Sequence, residues 1–413
     1  MKKYILIIVV GALMCSCNGD IYDNIEELVN QEKVYPAGYD EMYVKARGGV
    51  ERVEIDLWES RVPSSELFLP KAVKTVVEYS GKREVFEPAR SWVNITGLTV
   101  AQVYRFKIYT EDEFGDKSKP VEITGKPFTE ADKGSLVVAS TISASSTQGQ
   151  FVPAPSPNLY TLCSISYNYT DKDGAVIQTD KLQPGIFNMY NLAPGSTTPL
   201  HISYEFQPKD VVDTVIVSEV VQIRAMTTDE FDTYMNETQP FPNNTPRYLT
   251  NDPTTPLVIS AADFDLGGYD KGFHRARTGN DGNMTYRQSG GDNYRGYGVI
   301  ANLPPDGLYG LGWFDVGDWY VYTIEVQNDG EYLVEYAEST SNNGCQARLT
   351  VDALNVLDII NIANTGFWGG RTAWIPPVGT VKLTAGKHKI KWQHQNNANY
   401  DFGGLRLTYV GPL

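Results

Sequence analysis

Apolar and polar residues alternate along short stretches of this chain. In ERVEIDLWE (51–59), Val53, Ile55 and Leu57 fall on one face; KTVVEY (74–79), TLCSISYNYT (161–170) and LHISYEFQ (200–207) follow the same rule. Near the C-terminus, Trp392 alternates with Ile390 and His394. A period of two marks half-buried strands, and the Gly, Pro and Asn clusters between the runs mark turns. Asp171-Lys172-Asp173-Gly174 reads as a hairpin-type turn. No long amphipathic helical pattern is present, so the chain is predicted to be all-β, with sandwiches in series.

Composition divides the chain further. The first unit is expected over residues 33–129 and a second immunoglobulin-like sandwich over 130–228. A Pro-, Asn- and Thr-rich stretch, MNETQPFPNNTPRYLTNDPTTP (235–256), reads as the body of a linker over 229–256, and the third unit is expected over 257–413. The N-terminus, MKKYILIIVVGALMCSC, has a basic start at Lys2 and Lys3 and an apolar run from Tyr4 to Met14. That run is too short for a stable membrane span and fits a secretory signal over residues 1–16. Residues 17–32 are acidic and read as a tether.

Removing residues 1–16 takes away two lysines and moves the formal charge from −15 to −17. A chain this acidic makes a poor polyanion partner, which argues against nucleic acid. Cys163 and Cys345 lie 182 positions apart, and both are expected to be free and buried, with no zinc spacing. His201, His274, His388 and His394 form no metal-ligand pattern, and no nucleophile–base signature is evident. The chain is therefore read as not an enzyme and without a cofactor.

Four resemblances sharpen this reading. Ser16 before Cys17 is similar to a bacterial lipobox, which implies lipidation of Cys17. Each buried acyl methylene would add roughly 0.8 kcal/mol of membrane affinity. The early acidic residues resemble surface-export signals of Bacteroidetes lipoproteins and imply an outer-membrane protein, lipid-anchored and facing the cell exterior. A plain secreted protein with Cys17 unmodified is the alternative. Gly97-Leu98, the alternating Tyr104, Phe106 and Ile108, Phe114-Gly115-Asp116 and Ser118 with Pro120 resemble a fibronectin type III domain. The whole first unit also looks like an uncharacterised lipoprotein family of gut Bacteroidetes.

In the third unit, an Ala-Ala-Asp-Phe-Asp opening is followed by Gly-Gly, Gly-Trp, Gly-Asp-Trp and Gly-Glu-Tyr. NTGFWGG, Leu-Thr-Ala-Gly-Lys-His and an Asn-rich final strand complete the order. These landmarks resemble family 6 carbohydrate-binding modules, which implies a β-jelly-roll sandwich. In that family two aromatics bracket a sugar and an Asn bonds its hydroxyls. By resemblance the aromatics fall on Trp313 and Trp368. The polar position falls on Asp401, or on Asn399 if the loop shifts by two. Asp in place of Asn loses two donors and keeps the acceptors, favouring hydroxyl donors or a cationic group. Tyr309, Tyr400 and the pair Asn396-Asn397 are secondary candidates. Packing is the competing role for each tryptophan, and Trp319 and Trp392 are assigned to the core.

The family's structural calcium uses carboxylates that are here Ala262 and Gly403, so that site is expected to be lost; Asp263, Asp265 and Asp270 remain as dispersed aspartates. His388 falls where the family has a structural histidine. The combined expectation is a non-catalytic surface lipoprotein that captures a polysaccharide or oligosaccharide. Its N-terminal sandwiches would act as a spacer, and a glycan-uptake complex would be its partner by analogy. The alternative is an adhesin or assembly protein that contacts protein without binding sugar.

Overall fold

The computed structural model describes residues 34–154, 159–276, 286, 298–303, 306–368 and 372–413, with only the backbone over 298–302. The leader, Cys17, the tether and Gly369-Gly370 lie outside the described residues. The chain is all-β and folds into two compact units. Residues up to 136, with short segments at 159–160 and 207–215, form one; the rest of the described chain forms the other.

The first unit is a sandwich of two antiparallel sheets. Lys45–Gly49, Arg52–Asp56 and Trp92–Thr96 make one, and Lys82–Phe86, Lys74–Tyr79, Tyr104–Glu111 and Val121–Gly125 make the other, in those spatial orders. The alternation of 51–59 works as expected, since Val53, Ile55 and Leu57 pack inward against Val77, Phe106 and Ile108. Ser80 (φ 45°) and Gly81 (φ 76°) join Tyr79 to its partner Lys82. Two positive φ values in a two-residue loop match the strand twist of a hairpin.

The second unit contains two further sandwiches. The smaller pairs a four-stranded sheet (Val176–Gln178, Tyr160–Thr170, Thr197–Pro208, Val215–Arg224) with a three-stranded one (Phe187–Met189, Gly149–Ala154, Ala139–Ala144). The larger faces a sheet containing Trp319–Val326, Gly386–His394, Gln346–Val351 and Leu354–Asn361 against one containing Leu308–Gly312, Asp401–Gly411 and Gly330–Ser339. Between them lie Tyr320, Tyr322, Tyr332, Val334, Tyr336, Ile390 and Trp392. The amide of buried Gln150 joins the two sandwiches. Its Nε2 donates to the Asn355 carbonyl (2.6 Å) and its Oε1 accepts from the Asn355 N–H (2.7 Å).

Three expectations need correction. The 229–256 stretch is not an open linker. Thr227 and Glu230 form a capping box (Glu230 N to Thr227 Oγ1 3.0 Å, Thr227 N to Glu230 Oε2 2.8 Å) that starts a helix at Thr228–Asn236. Arg247–Leu249 then adds a parallel edge strand to Trp319–Val326, and buried Lys389 donates to the Tyr234 carbonyl behind that helix. Trp319 is not core: the alternation that turns Tyr320, Tyr322 and Ile324 inward leaves it on the outer face. There it stacks with His274 (6.1 Å) under the Lys391 ammonium (5.3 Å). Cys163 is free but half-buried, whereas Cys345 is free and buried.

Candidate functional site

The site grows from three loops at one end of the larger sandwich. The first leaves the Leu308–Gly312 strand and carries Trp313. Its φ of +54° lies in the left-handed region, where a bulky residue is strained by roughly 1–3 kcal/mol. The Arg275 guanidinium holds it there, donating from Nη2 to the Trp313 carbonyl at 2.9 Å. The next residue, Phe314, turns inward, lies 3.6 Å from the His394 ring and packs 5.7 Å from Tyr400. His394 is fully buried, and burial, with Arg275 nearby, pushes its pKa well below the usual histidine value. With inward packing taken up by Phe314, the Trp313 indole stays 51% exposed.

The second loop, 362–368, carries Trp368. The N–H groups of Thr365 and Gly366 both donate to the Thr340 carbonyl at 3.0 Å, and Thr340 N–H donates to Thr365 Oγ1 at 2.9 Å. The Asn364 amide donates to the Ser341 carbonyl and to Asn343 Oδ1, each at 3.1 Å. Trp368, beyond these anchors, is 48% exposed. The third loop, 395–400, is tied to the same point, because Thr340 Oγ1 donates to the Asn399 carbonyl at 2.7 Å and the Asn397 amide to the Asn343 carbonyl at 2.8 Å. Thr340 is thus the buried knot of the end, and Trp313 reaches the same segment through Phe314 and Tyr400.

The polar candidates fare differently. Asn399 is exposed, with its side chain donating to Asn397 Oδ1 at 3.1 Å. Asp401 is 8% exposed, sits opposite Ser339 in the sheet and accepts from Ser339 Oγ at 3.3 Å. Tyr400 needs correction: it is buried, its hydroxyl accepts from Trp392 Nε1 at 3.1 Å, and its ring cannot meet a ligand. Tyr309 is half-buried, and Tyr286 lies parallel over one face of its ring at 3.7 Å.

Several residues escaped the sequence reading. Asn342, Asn343 and Asn364 extend the polar rim, and the Ser-Asn-Asn-Gly turn after the 330–339 strand was the available signal. Glu338 is the other. It continues the inward series Tyr332, Val334 and Tyr336, it is fully buried, and among the described residues neither carboxylate oxygen has a hydrogen-bond partner. Burial, reinforced by the charge of Asp401, pushes its pKa up to about 8.

The residues do not fit the family's calcium site. Ala262 is a fully buried methyl group, and a Cβ on Gly403 would stand 2.9 Å from Thr372 Oγ1, so neither position can offer a carboxylate without rearrangement. The remaining aspartates have protein partners: Asp263 accepts from the Tyr286 hydroxyl, Asp265 from Thr238 and Thr323, and Asp270 faces His274 at 2.6 Å. His388 is structural, bridging Asp352 Oδ2 (2.6 Å) and the Thr384 carbonyl (2.8 Å).

In comparison with known proteins, residues 290–406 match the family model described as Carbohydrate binding module (family 6). A curated relative, Beta-agarase AgaA of Microbulbifer thermotolerans, is 26% identical over 157 residues; the match covers 38% of this chain and only 32% of the agarase. Among solved structures, the module CBM6cm-2 from Cellvibrio mixtus lichenase 5A, in complex with cellotriose, is 24% identical with a TM-score of 0.25, covering 28% of this chain and 87% of that one. The C-terminal family 6 module of LamC from Zobellia galactanivorans is 19% identical with a TM-score of 0.26, covering 37% and 99%.

Proposed function

We propose, from the premise that its C-terminal part is a family 6-like carbohydrate-binding module, that this protein captures a polysaccharide or oligosaccharide without cleaving it. The observation that carries the reading is the pair Trp313 and Trp368. Each indole is about half exposed on a loop anchored by buried hydrogen bonds, and one is held in a backbone conformation that its side chain disfavours. Sugar rings offer apolar C–H faces to such platforms and hydroxyl rims to amide and carboxylate groups. Here Asn399, Asn397, Asn364 and Asp401 would supply the rim contacts.

The finer points belong to the same proposal. The chain would be lipid-anchored through Cys17 and displayed on the outer membrane, where many weak sites gain avidity. The two smaller sandwiches would act as a spacer and a glycan-uptake complex would be the partner. A panel of glycans tests the site, with cello-oligosaccharides and agarose among the probes, applied by affinity electrophoresis to wild type, Trp313→Ala and Trp368→Ala. Each substitution is expected to weaken binding by about 10–100-fold, the scale of a buried aromatic contact. Wild-type binding to no glycan would overturn the function in favour of the adhesin reading. Binding unchanged by both substitutions would overturn the site.

A further inference from the structure

We propose that the cleft between the smaller and the larger sandwich of the second unit is a further sugar subsite, which takes a neutral hexose unit of the same oligosaccharide that Trp313 and Trp368 hold. The proposal rests on the glycan-binding reading and extends it to longer ligands. The smaller sandwich then contributes to binding as well as spacing.

The cleft has a volume of about 380 Å³ and lies wholly within the second compact unit. One wall comes from the smaller sandwich, where Thr141 pairs with Val152 across the strands Ala139–Ala144 and Gly149–Ala154, with Pro153 beside them. These residues lie outside the 290–406 stretch that matches the family model, so this wall is not a feature of the family. The opposite wall is the edge of the larger sandwich. There the register between Gln346–Val351 and Leu354–Asn361 is irregular: Ala347 pairs with Ile360 and Leu349 with Leu357, so Asp358 and Ile359 together oppose the single residue Arg348. A bulge of this kind redirects side chains, and Arg348, Asp358 and Ile359 all line the cleft. The paired hydrogen bonds between the Gln150 amide and the Asn355 backbone tie the two walls together.

The lining suits an uncharged, polyhydroxylated ligand. Its two charged residues are Arg348 and Asp358, whose Nη2 and Oδ1 lie 2.7 Å apart, so the lining carries no net charge. That close contact lacks hydrogen-bond geometry. Arg348 Nε and Asp358 Oδ1 are both buried and neither makes a hydrogen bond among the described residues. A buried donor or acceptor left without a partner is costly, and sugar hydroxyls can accept from the first and donate to the second. The Gln395 and Asn396 amides and the Thr141 hydroxyl add further donors and acceptors. Val152, Pro153 and Ile359 offer apolar surface to ring C–H groups.

The 395–400 loop joins this cleft to the tryptophan site. Gln395 N–H donates to the Gln346 carbonyl and Gln346 N–H to the Asn396 carbonyl, each at 2.8 Å, which fixes the cleft end of the loop. Asn397, with φ of +48°, turns the chain, and Asn399 belongs to the rim of the tryptophan site. Only three peptide links separate Asn396 from Asn399, so their Cα atoms lie within about 11 Å. One oligosaccharide can cross that gap.

The test is isothermal titration of the full chain with cello-, agaro- and manno-oligosaccharides, from the disaccharide to the hexasaccharide. Wild-type affinity is expected to rise about ten-fold or more from the shortest to the longest probe, as a second contact joins the first. Thr141→Trp, at an exposed strand position, fills the cleft, and Gln395→Ala removes an amide from its lining. Both variants are expected to bind the disaccharide like wild type and to lose the gain with length; their disaccharide binding also shows that they are folded. Trp368→Ala is expected to weaken binding of every probe. Affinity that does not depend on length, or a gain that survives both cleft substitutions, would overturn the subsite and leave the glycan-binding reading standing. Loss of disaccharide binding in both cleft variants would overturn it too, because the cleft would then not be a separate subsite. Failure of every probe to bind the wild type would instead remove the underlying reading, and the subsite with it.

Discussion

Replacing Glu338 with Gln should stabilise the protein, and the gain should grow with pH. The carboxyl ionises near pH 8 in the folded chain against an ordinary value of 4.5, because it is buried beside Asp401. Between those limits the folded state holds a proton that the unfolded state has released. Stability therefore falls as pH rises through that window, by about 1.4 kcal/mol per pH unit. At pH 7 the accumulated loss is about 3 kcal/mol, and below the unfolded value it vanishes. The amide of Gln carries no charge, so its own desolvation is the same at every pH. The assay is calorimetric unfolding of wild type and variant at several pH values, following the transition of the larger compact unit, since a chain of several sandwiches need not unfold in one step. The variant's advantage should be about 3 kcal/mol larger near pH 7–8 than below pH 5. An equal difference between the two proteins at all pH values would refute the reasoning, because it would mean that Glu338 is already paired or solvated.

Three further outcomes follow from the geometry. Trp313→Gly should relieve the left-handed backbone strain, leaving thermal stability unchanged or raised by about 1 kcal/mol, while removing glycan retention on an affinity gel. Gln150→Ala should leave the buried Asn355 N–H and carbonyl unpaired and lower stability by about 1–3 kcal/mol per group, measured by calorimetry. For His388, burial works against the charge but the Asp352 carboxylate outweighs it and raises the pKa above the ordinary 6.5. Its stabilisation is complete below that value and fades as pH rises through the raised one, so His388→Gln should lose more stability at acid than at alkaline pH.

Much of the fold was legible because period-two alternation assigns each residue to a face of a strand. Val53, Ile55 and Leu57 pack inward, as do Ile390 and Trp392. The secondary elements inside 229–256 were harder to see. Their local signals were one Thr-x-x-Glu box and three residues of edge strand, and Lys389 and the Trp319–Val326 strand are distant partners in the chain. Alternation also misled at Trp319, since it places a residue on one side of a sheet without stating which side is the core.

In the candidate site, the sequence by itself determined the order of the landmarks and the positions of the two tryptophans, because glycine and asparagine turns leave a recognisable spacing. It also showed an Asp where the resembled family has an Asn. Only the tertiary structure decided which aromatics face outward. Tyr400 is drawn into the core by the Trp392 indole, one face of the Tyr309 ring is covered by Tyr286, and Phe314 turns inward so that Trp313 does not. It alone also buried the Glu338 carboxyl opposite Phe402, within electrostatic reach of Asp401. Glu338 and Phe402 are 64 positions apart, and their pairing depends on a sheet register that shifts between Ala337 and Glu338. A one-residue difference in that register would turn the carboxyl to the opposite face, which is why no local pattern could have announced it.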